Sequence, residues 1–371
     1  MSVRLPACVL ALLVLTAIPC AGQIIPSARV VIAPDIEDFL QQMVLEEHFS
    51  GIALAVRSGE VLHANAYGRA TEDRANSLHT LFHVASVTKQ FTAAATLQLV
   101  DQGKIDLGDT VNDHLPERYR SEKWAGVSVH HLLSHSSGIP DYALQRDYYD
   151  VVDGFCLGNT VDGMLREAQE SELRFTPGTE YEYSNIGFTL LGEIIAHKTG
   201  APYHTYVEEN LLAPMGMGSS RLHMVGHEPA QHEASGHRWN SELHRHTKDM
   251  KVTLPVTAPD GGLITNLDDF YRWTRIYTGQ HGKILSDAAF EKMVTPVIET
   301  GEVYGRGKTT AYGYGLFLGD GLISHDGYIV GFRSHFILDR KDDELVVVLS
   351  NNTTNDPTRI SAGMLAIIES E

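Results

Sequence analysis

The chain has 371 residues, of which 43% are hydrophobic, and it carries a formal net charge of −18. This excess of acidic residues argues against nucleic acid and anionic membrane surfaces as partners, because both would repel the protein. The length is enough for one large domain, or for two closely packed subdomains, with a substantial hydrophobic core.

The first residues have the pattern of a secretory signal peptide. Arg4 precedes an apolar run over residues 5–18, and small residues suited to cleavage stand before Gln23. The run is too short to span a bilayer comfortably, and no later stretch approaches about 20 apolar residues. We therefore expect a signal peptide over residues 1–22 and a mature chain over residues 23–371 that is secreted or periplasmic.

The cysteines leave one alternative to this interpretation. Cys20 could be a lipid-modified cysteine that anchors the protein to a membrane surface, although Pro19 directly before it fits that pattern poorly. Membrane attachment is expected only in that case. If the leader is removed, Cys8 and Cys20 leave with it and Cys156 remains alone, so the mature chain can form no intramolecular disulfide.

Strand patterns occur near both ends of the chain, and the middle is rich in helix patterns. The predicted order is a helix over 35–47, strands over 51–56 and 61–67, helices that begin near 86, 186 and 268, strands over 314–318, 322–325, 332–338 and 345–350, and a helix over 357–368. We expect an α/β fold of the α+β type. One antiparallel sheet, formed from residues 23–80 and 305–371 and flanked by helices, would pack against an all-α subdomain over 81–304. A cleft between the two would hold the active site.

A serine and a lysine three residues apart stand at the start of one predicted helix. This spacing places Ser86 and Lys89 on one face, about one turn apart. A serine hydroxyl attacks a carbonyl only if a neighbour takes its proton, and a lysine can do so when desolvation makes it neutral. Free N–H groups at the helix start, that of Ser86 included, could stabilise an oxyanion. The pattern alone is weak, since a helix cap beside a solvated lysine would look the same.

The only Y-x-N motif of the chain supplies a second candidate element. Tyr183 could relay the serine proton or protonate the leaving group, because a nearby lysine ammonium favours its phenolate. Asn185 offers an amide that could orient Lys89 or a substrate amide. Considered alone, the pair is more typical of a core tyrosine and a turn asparagine.

The only H-x-G motif, formed by His325 and Gly327, supplies the third element. Glycine would let a substrate approach the backbone closely, and the N–H of Tyr328 could be the second oxyanion donor. Considered alone, these residues are better explained as a hairpin turn with an incidental histidine.

Together the three motifs, in this order and spacing, resemble the class C β-lactamase and penicillin-binding-protein superfamily of serine hydrolases. The similarity extends through residues 81–116, 132–140, 177–200, 212–217 and 261–273. The resemblance implies a sheet domain with an all-α domain, and an acyl-enzyme mechanism without a cofactor or metal. In that mechanism Ser86 attacks, and Lys89 and Tyr183 share the role of base. The N–H groups of Ser86 and Tyr328 hold the oxyanion.

One position departs from the family's pattern. Class C β-lactamases carry K-T-G as the third motif, with the lysine drawing the substrate carboxylate, whereas this chain has His325 there. A histidine is mostly neutral at pH 7, so a carboxylate anchor would be weakened or would come from Arg333 or Lys308. H-x-G resembles some DD-peptidases and D-aminopeptidases of the superfamily, which lowers the expectation of efficient penicillin hydrolysis. The resemblance implies a small-molecule or peptide substrate, with cell-wall fragments among the candidates, and leaves peptidase, esterase and β-lactamase activity open.

Two other functions compete with a serine hydrolase. Six histidines crowd residues 223–246, but the stretch from His227 to His232 has one residue too many for the zincin motif H-E-x-x-H, and its proline opposes the required helix. We therefore expect a solvated loop without a catalytic metal. The other alternative is a catalytically silent homologue that binds peptidoglycan fragments or a protein partner. Retention of Ser86 and Lys89 argues against it, because a binder needs no activated nucleophile.

Overall fold

The computed structural model describes residues 32–142, 151–152, 155–156, 160–223, 229–248, 258–304 and 309–370. The predicted signal peptide, Cys20 and Lys308 lie outside these residues. None of the helices that the structure describes is long and apolar enough to cross a membrane.

The helices are α1 (Pro34–Glu47), α2 (Lys89–Asp101), α3 (Val111–His114), α4 (Val129–Leu133), α5 (Val161–Glu170), α6 (Asn185–Thr199), α7 (Tyr203–Val207), α8 (Ala213–Met215), α9 (Ala258–Gly261), α10 (Leu267–Thr274), α11 (Asp287–Met293) and α12 (Pro357–Ser370). The strands are β1 (Gly51–Arg57), β2 (Glu60–Tyr67), β3 (Phe82–His83), β4 (Val151–Val152), β5 (Phe155–Cys156), β6 (Arg221–Leu222), β7 (His237–Asn240), β8 (Arg245–Lys248), β9 (Leu263–Thr265), β10 (Ile298–Tyr304), β11 (Thr309–Tyr312), β12 (Phe317–Gly319), β13 (Leu322–Ile329), β14 (Phe332–Asp339) and β15 (Glu344–Ser350). Single 3₁₀ turns lie at Ala85–Thr88, Glu117–Tyr119, Glu122–Trp124, Arg275–Thr278 and His281–Lys283, and a π-helical turn lies at Glu208–Leu212.

The central feature is an antiparallel sheet of eight strands in the order β10-β11-β12-β13-β14-β15-β1-β2. Strand β1 lies between β15 and β2, with Gly51 opposite Ser350 and Arg57 opposite Glu344. Early and late segments of the chain therefore build one sheet, as the sequence predicted. The sequence did not predict β10 and β11, because they contain few apolar residues and show no clear alternation.

Each face of the sheet packs against its own layer of helices. One face, which includes Ala53 and Val348, forms a core with α1 and α12. The opposite face, which includes Ile52 and Val347, joins the larger core beneath the middle of the chain. Because β1 is buried on both faces, its sequence is continuously apolar rather than alternating.

The middle of the chain is mostly helical, as predicted, and the buried helix α2 lies at its centre. Its run of alanines from Ala93 to Ala95 is fully buried, which allows α6 and α11 to pack closely against it. This part of the molecule also contains a small sheet with the order β3-β9-β6. The polar segment that the sequence predicted as a loop contains the hairpin β7–β8.

Candidate active site

Ser86 lies in the 3₁₀ turn Ala85–Thr88, which continues directly into α2. Ala85 has a φ of 47°, a left-handed conformation that is uncommon for a residue with a Cβ. Lys89 is the first residue of α2, and its Nζ lies 3.2 Å from Ser86 Oγ. The structure therefore brings the predicted nucleophile and base to hydrogen-bond distance at the start of a helix.

The Lys89 side chain is fully buried among polar acceptors. Besides its contact with Ser86, Nζ donates to Asn185 Oδ1 at 2.7 Å. It also donates to the backbone carbonyl oxygen of Asp260 at 2.9 Å. An ammonium has three N–H donors, so these three acceptors satisfy the charged form completely. After loss of one proton, the lone pair of Nζ can face the serine hydroxyl.

Burial lowers the pKa of Lys89 to about 8, because the charged form loses its hydration. The carboxyl groups of Asp260, Asp141 and Asp326 oppose this change and favour the ammonium. Roughly one molecule in ten therefore holds a neutral Lys89 at pH 7. A lysine this close to neutrality is suited to take a proton from a serine hydroxyl.

Tyr183 lies against the Lys89 ammonium, with its ring centroid 4.8 Å from Nζ. Its buried hydroxyl makes no hydrogen bond of standard geometry to the residues that the structure describes. Burial raises the pKa of Tyr183 well above its ordinary value, and the Ser86 hydroxyl offsets this only in part. Burial and the nearby carboxyl groups of Asp326 and Asp260 thus favour the phenol, and the expectation of a favoured phenolate is wrong for the free protein. In the free protein Lys89 is therefore closer to its basic form near pH 7 than Tyr183, whose neutral phenol lies beside it.

Asn185 is the first residue of α6, and the buried carboxyl group of Asp141 fixes its orientation. Its backbone N–H donates to Asp141 Oδ1 at 2.7 Å, and its Nδ2 donates to Oδ2 at 3.1 Å. With Nδ2 held in this way, Oδ1 of the amide faces Lys89. Asp141 could not be recognised as a site residue from the sequence, because an acidic residue after a turn belongs to no motif.

His325 is buried against Tyr312. Its Nδ1 lies 2.6 Å from the carbonyl oxygen of Asp326, and its Nε2 lies 3.1 Å from the Tyr312 hydroxyl. The first contact requires a proton on Nδ1, and Nε2 then accepts from the tyrosine. Burial lowers the pKa of His325 to about 3, and the charge of Lys89 acts in the same direction. The histidine is therefore neutral near pH 7, as predicted, and offers no positive charge to a substrate carboxylate.

Gly327 is required by the packing of the protein itself. A Cβ at this position would lie 2.2 Å from the Val84 carbonyl oxygen and 2.4 Å from Ser334 Oγ. Ser334 Oγ also donates to the Val84 carbonyl at 2.7 Å. The motif suggested that this glycine admits a substrate, but its close neighbours are Ser334 and the backbone that leads into Ser86.

We expect Gly327→Ala to push β13 away from the turn that carries Ser86. Overpacking against backbone should cost about 1–3 kcal/mol of unfolding free energy. Activity should fall about tenfold or more, because small displacements of reacting groups are costly. Thermal unfolding and initial rates measure the two effects. Gly218→Ala is the matched control, since its Cβ would meet nothing within 4 Å; equal effects in both variants would contradict this explanation.

The backbone of Tyr328 faces a free edge of β13. Ile329 pairs with Phe332 across a two-residue turn, which makes them a directly hydrogen-bonded pair. Alternation along the strand then points the N–H of Tyr328 away from β14. On that side β12 pairs only with residues 322–324, so no strand within the described parts of the chain covers Tyr328. This orientation of the Tyr328 N–H is compatible with its predicted role as an oxyanion donor.

Arg333 does not replace the lysine that the third motif lacks. Its guanidinium lies 5.0 Å from the ring centroid of Tyr328. Side chains alternate along β14: Ser334 faces the Ser86 turn, whereas His335 contacts Ser361 of α12 on the other face. Arg333 shares the face of His335, so its orientation does not support the suggested anchor for a substrate carboxylate.

His135 is a further residue that the motifs did not reveal. It has a φ of 56°, and its Nδ1 accepts the backbone N–H of Ser184 at 3.1 Å. Its ring centroid lies 4.1 Å from that of Tyr183. Burial lowers the pKa of His135 well below its ordinary value, and the charge of Lys89 acts in the same direction, so the imidazole is neutral. His135 therefore supports Tyr183 through packing.

The histidine-rich segment shows no group of metal-ligating side chains within the parts of the chain that the structure describes. His227 lies outside those parts. In the β7–β8 hairpin, His246 packs against His237 and Trp239, and His48 stacks on Trp239 with ring centroids 3.5 Å apart. These described histidines attach the hairpin to the body of the protein.

Comparisons with known proteins show what the chain is similar to. The family model described as Beta-lactamase matches residues 36–369. Penicillin-binding protein 4* of Bacillus subtilis (strain 168) is 28% identical over 82% of this chain and 69% of its own length. The octameric penicillin-binding protein homologue from Pyrococcus abyssi has a TM-score of 0.78 at 28% identity, over 91% of this chain and 77% of that chain. The D-amino acid amidase from Ochrobactrum anthropi SV3 shares the fold, with a TM-score of 0.73 at 23% identity over 91% of this chain and 99% of that chain.

Proposed function

Because the chain belongs to the β-lactamase family and is a serine hydrolase of the penicillin-binding-protein type, we propose that it cleaves amide or ester bonds through an acyl-enzyme on Ser86. The observation that carries this proposal is the fully buried Lys89 ammonium, 3.2 Å from Ser86 Oγ. Removing a lysine from water is costly, and a role in structure alone gives no reason to place it against a serine hydroxyl.

Acylation begins with a neutral Lys89. Its Nζ takes the proton of Ser86, and Oγ forms a bond to the substrate carbonyl carbon. The N–H groups of Ser86 and Tyr328 stabilise the negative charge that develops on the carbonyl oxygen. When the tetrahedral intermediate collapses, the bond to the leaving amine or alcohol breaks, and the leaving group takes a proton from Lys89 with the phenol of Tyr183 as relay.

Deacylation repeats these steps with water in place of the serine. Lys89 takes a proton from the water, and the water oxygen attacks the ester carbon. Ser86 Oγ then leaves and takes the proton back, which restores the starting state. No cofactor enters this sequence of steps.

The neutral His325 of the third motif affects which class of substrate the site can bind. His325 cannot attract a carboxylate in the way that a lysine does, since it is neutral and both ring nitrogens have partners. We therefore favour amides and esters without a free carboxylate next to the scissile bond over penicillins and over peptides cleaved at a free C-terminus. Cell-wall fragments that lack such a carboxylate are among the candidates. The leader pattern of residues 1–22 supports secretion to the periplasm or the exterior.

Intact-protein mass spectrometry tests the proposal. The protein is incubated with a fluorescent penicillin and, separately, with an activated ester, and any adduct is mapped by tryptic digestion. We expect a label on the peptide that contains Ser86. A long-lived penicilloyl adduct indicates a peptidase, rapid clearance indicates a β-lactamase, and ester turnover alone indicates an esterase. Absence of a label from both reagents would favour the catalytically silent homologue. The unlabelled mass of the exported protein also shows whether residues 1–22 are removed.

The pH dependence gives an independent prediction. Because the pKa of Lys89 is lowered to about 8, a rise in pH through this value removes its proton and creates the base. We expect kcat/KM to fall about tenfold for each pH unit below that value and to level off above it. Initial rates with an uncharged activated ester measure the profile, and circular dichroism at each pH monitors folding. A rate that does not change between about pH 6 and about pH 9 would exclude Lys89 as the base.

A further inference from the structure

The Lys89 ammonium is part of a closed ring of polar contacts. Asn185 accepts from Nζ and is held in turn by both carboxylate oxygens of Asp141. The next residue, Tyr142, donates its hydroxyl to Asp260 Oδ2 at 2.9 Å. The backbone carbonyl of Asp260 accepts from Nζ and completes the ring. Two consecutive residues, Asp141 and Tyr142, thus connect the two groups that hold the lysine.

The Asp260 side chain has no part in the chemical steps described above. Its carboxyl group is 4% exposed, and Oδ1 has no hydrogen-bond partner among the described residues. The backbone carbonyl of any residue at this position could accept from Nζ, so that contact does not require an aspartate. Burying a carboxylate in this way is costly unless a positive charge lies nearby.

Lys89 is the positive charge next to Asp260. The groups that contact Nζ or act on its charge belong to Ser86, Tyr183, Asn185, Asp141, Asp260, Asp326, His135 and His325. Both histidines are neutral, so among the described residues these three carboxyl groups supply the negative charge that favours the ammonium. Of these three carboxyl groups, that of Asp260 raises the pKa of Lys89 the most. Burial in turn raises the pKa of Asp260, and the charge of Lys89 opposes that rise.

We propose that Asp260, held by the Tyr142 hydroxyl, is a positioning residue that keeps the Lys89 ammonium seated between Ser86 and Asn185 and controls how readily it gives up its proton. The inference rests on the proposed function, since it assigns Asp260 to the base of that reaction. Its consequence is an activity that depends on pH through a carboxylate that does not touch the substrate.

Charge-neutral substitution gives the sharpest test. Asp260→Asn removes the negative charge that favours the ammonium, so burial prevails and Lys89 loses its proton at lower pH. We expect the acid limb of kcat/KM to move down by about half a pH unit or more, which corresponds to about a threefold gain relative to the plateau at acidic pH. The same uncharged ester and the full chain are used throughout.

Tyr142→Phe distinguishes an effect of the Asp260 charge on the pH profile from an effect of the packing around Asp260. It leaves the carboxyl group in place and removes only a hydrogen bond that favours the carboxylate, so the acid limb should move down by no more than about 0.3 pH units while the plateau of kcat/KM falls. Asp287→Asn is the matched control, because it removes the charge of a side chain that is 97% exposed. The acid limb and the plateau of kcat/KM should both stay unchanged in this variant. A shift in Tyr142→Phe as large as in Asp260→Asn would assign the effect to packing and overturn the proposal.

An unchanged acid limb in Asp260→Asn would also overturn the positioning role proposed for Asp260. If the wild type still shows turnover and labelling of Ser86, the proposed function stands in that case. If the wild type forms no Ser86 adduct and shows no turnover, both conclusions fail together. Circular dichroism establishes folding of each variant. If Asp260→Asn does not fold, Asp260→Ser removes the same charge with a smaller side chain, and its acid limb must show the same downward shift.

Discussion

Ser86→Ala should lower hydrolysis by about a thousandfold or more, because it removes the only atom placed to form the covalent intermediate. Ser86 Oγ is one of three acceptors around Lys89, and the other two come from Asn185 and Asp260. The lysine therefore keeps most of its contacts, and we expect the melting temperature to stay within about 3 °C of the wild type.

Steady-state rates with an activated ester, together with loss of the mass label, measure the effect. Ser219→Ala is a suitable control, since Ser219 is an exposed serine away from any motif. Activity that remains unchanged in Ser86→Ala would remove the basis for an acyl-enzyme on this residue. A variant that loses activity and also unfolds would not be evidence for catalysis, which is why the melting temperature is measured on the same samples.

Lys89→Met should have the second largest effect. Methionine keeps much of the length of the buried side chain but removes Nζ, so the serine loses its proton acceptor. We expect the rate of acylation to fall about a hundredfold or more. Stopped-flow measurement of adduct formation on Ser86 reports this step directly, without the influence of deacylation.

Lys104→Met provides the comparison, since Lys104 is exposed and lies beyond the end of α2. It should acylate at the rate of the wild type. A loss of less than about tenfold in Lys89→Met would show that the lysine is structural and would leave Tyr183 as the remaining candidate for the base.

The sequence predicted the elements that have local signatures. The spacing of Ser86 and Lys89 predicted a helix start, and Ser86 lies in the turn that leads into α2 while Lys89 is its first residue. The antiparallel sheet also followed from local patterns, because alternating or continuously apolar runs separated by turns are typical of strands. A single sheet that contains the early and the late strands could be predicted because it is the simplest arrangement of strands at both ends of the chain. The pairing of β1 with β15 is a finding of the structure.

The remaining features depend on contacts between distant residues. Asp141 and Asp260 have no recognisable pattern in the sequence, and only the fold brings them to Asn185 and Lys89. The protonation of Tyr183 was wrongly predicted for the same reason. The sequence shows a nearby positive charge but not the complete burial that outweighs it.

The position of β1 within the sheet has a consequence for how the protein is made. The Ser350 hydroxyl donates to the carbonyl of Ser50 across 300 residues of sequence, so β1 cannot complete its pairing until the ribosome has produced β15. Before then β1 has only β2 as a partner, and an isolated hairpin is marginally stable in water. Such long-range pairing slows folding and leaves apolar strands exposed during synthesis. The eight-stranded sheet therefore cannot be completed until the last strands of the chain have been synthesised.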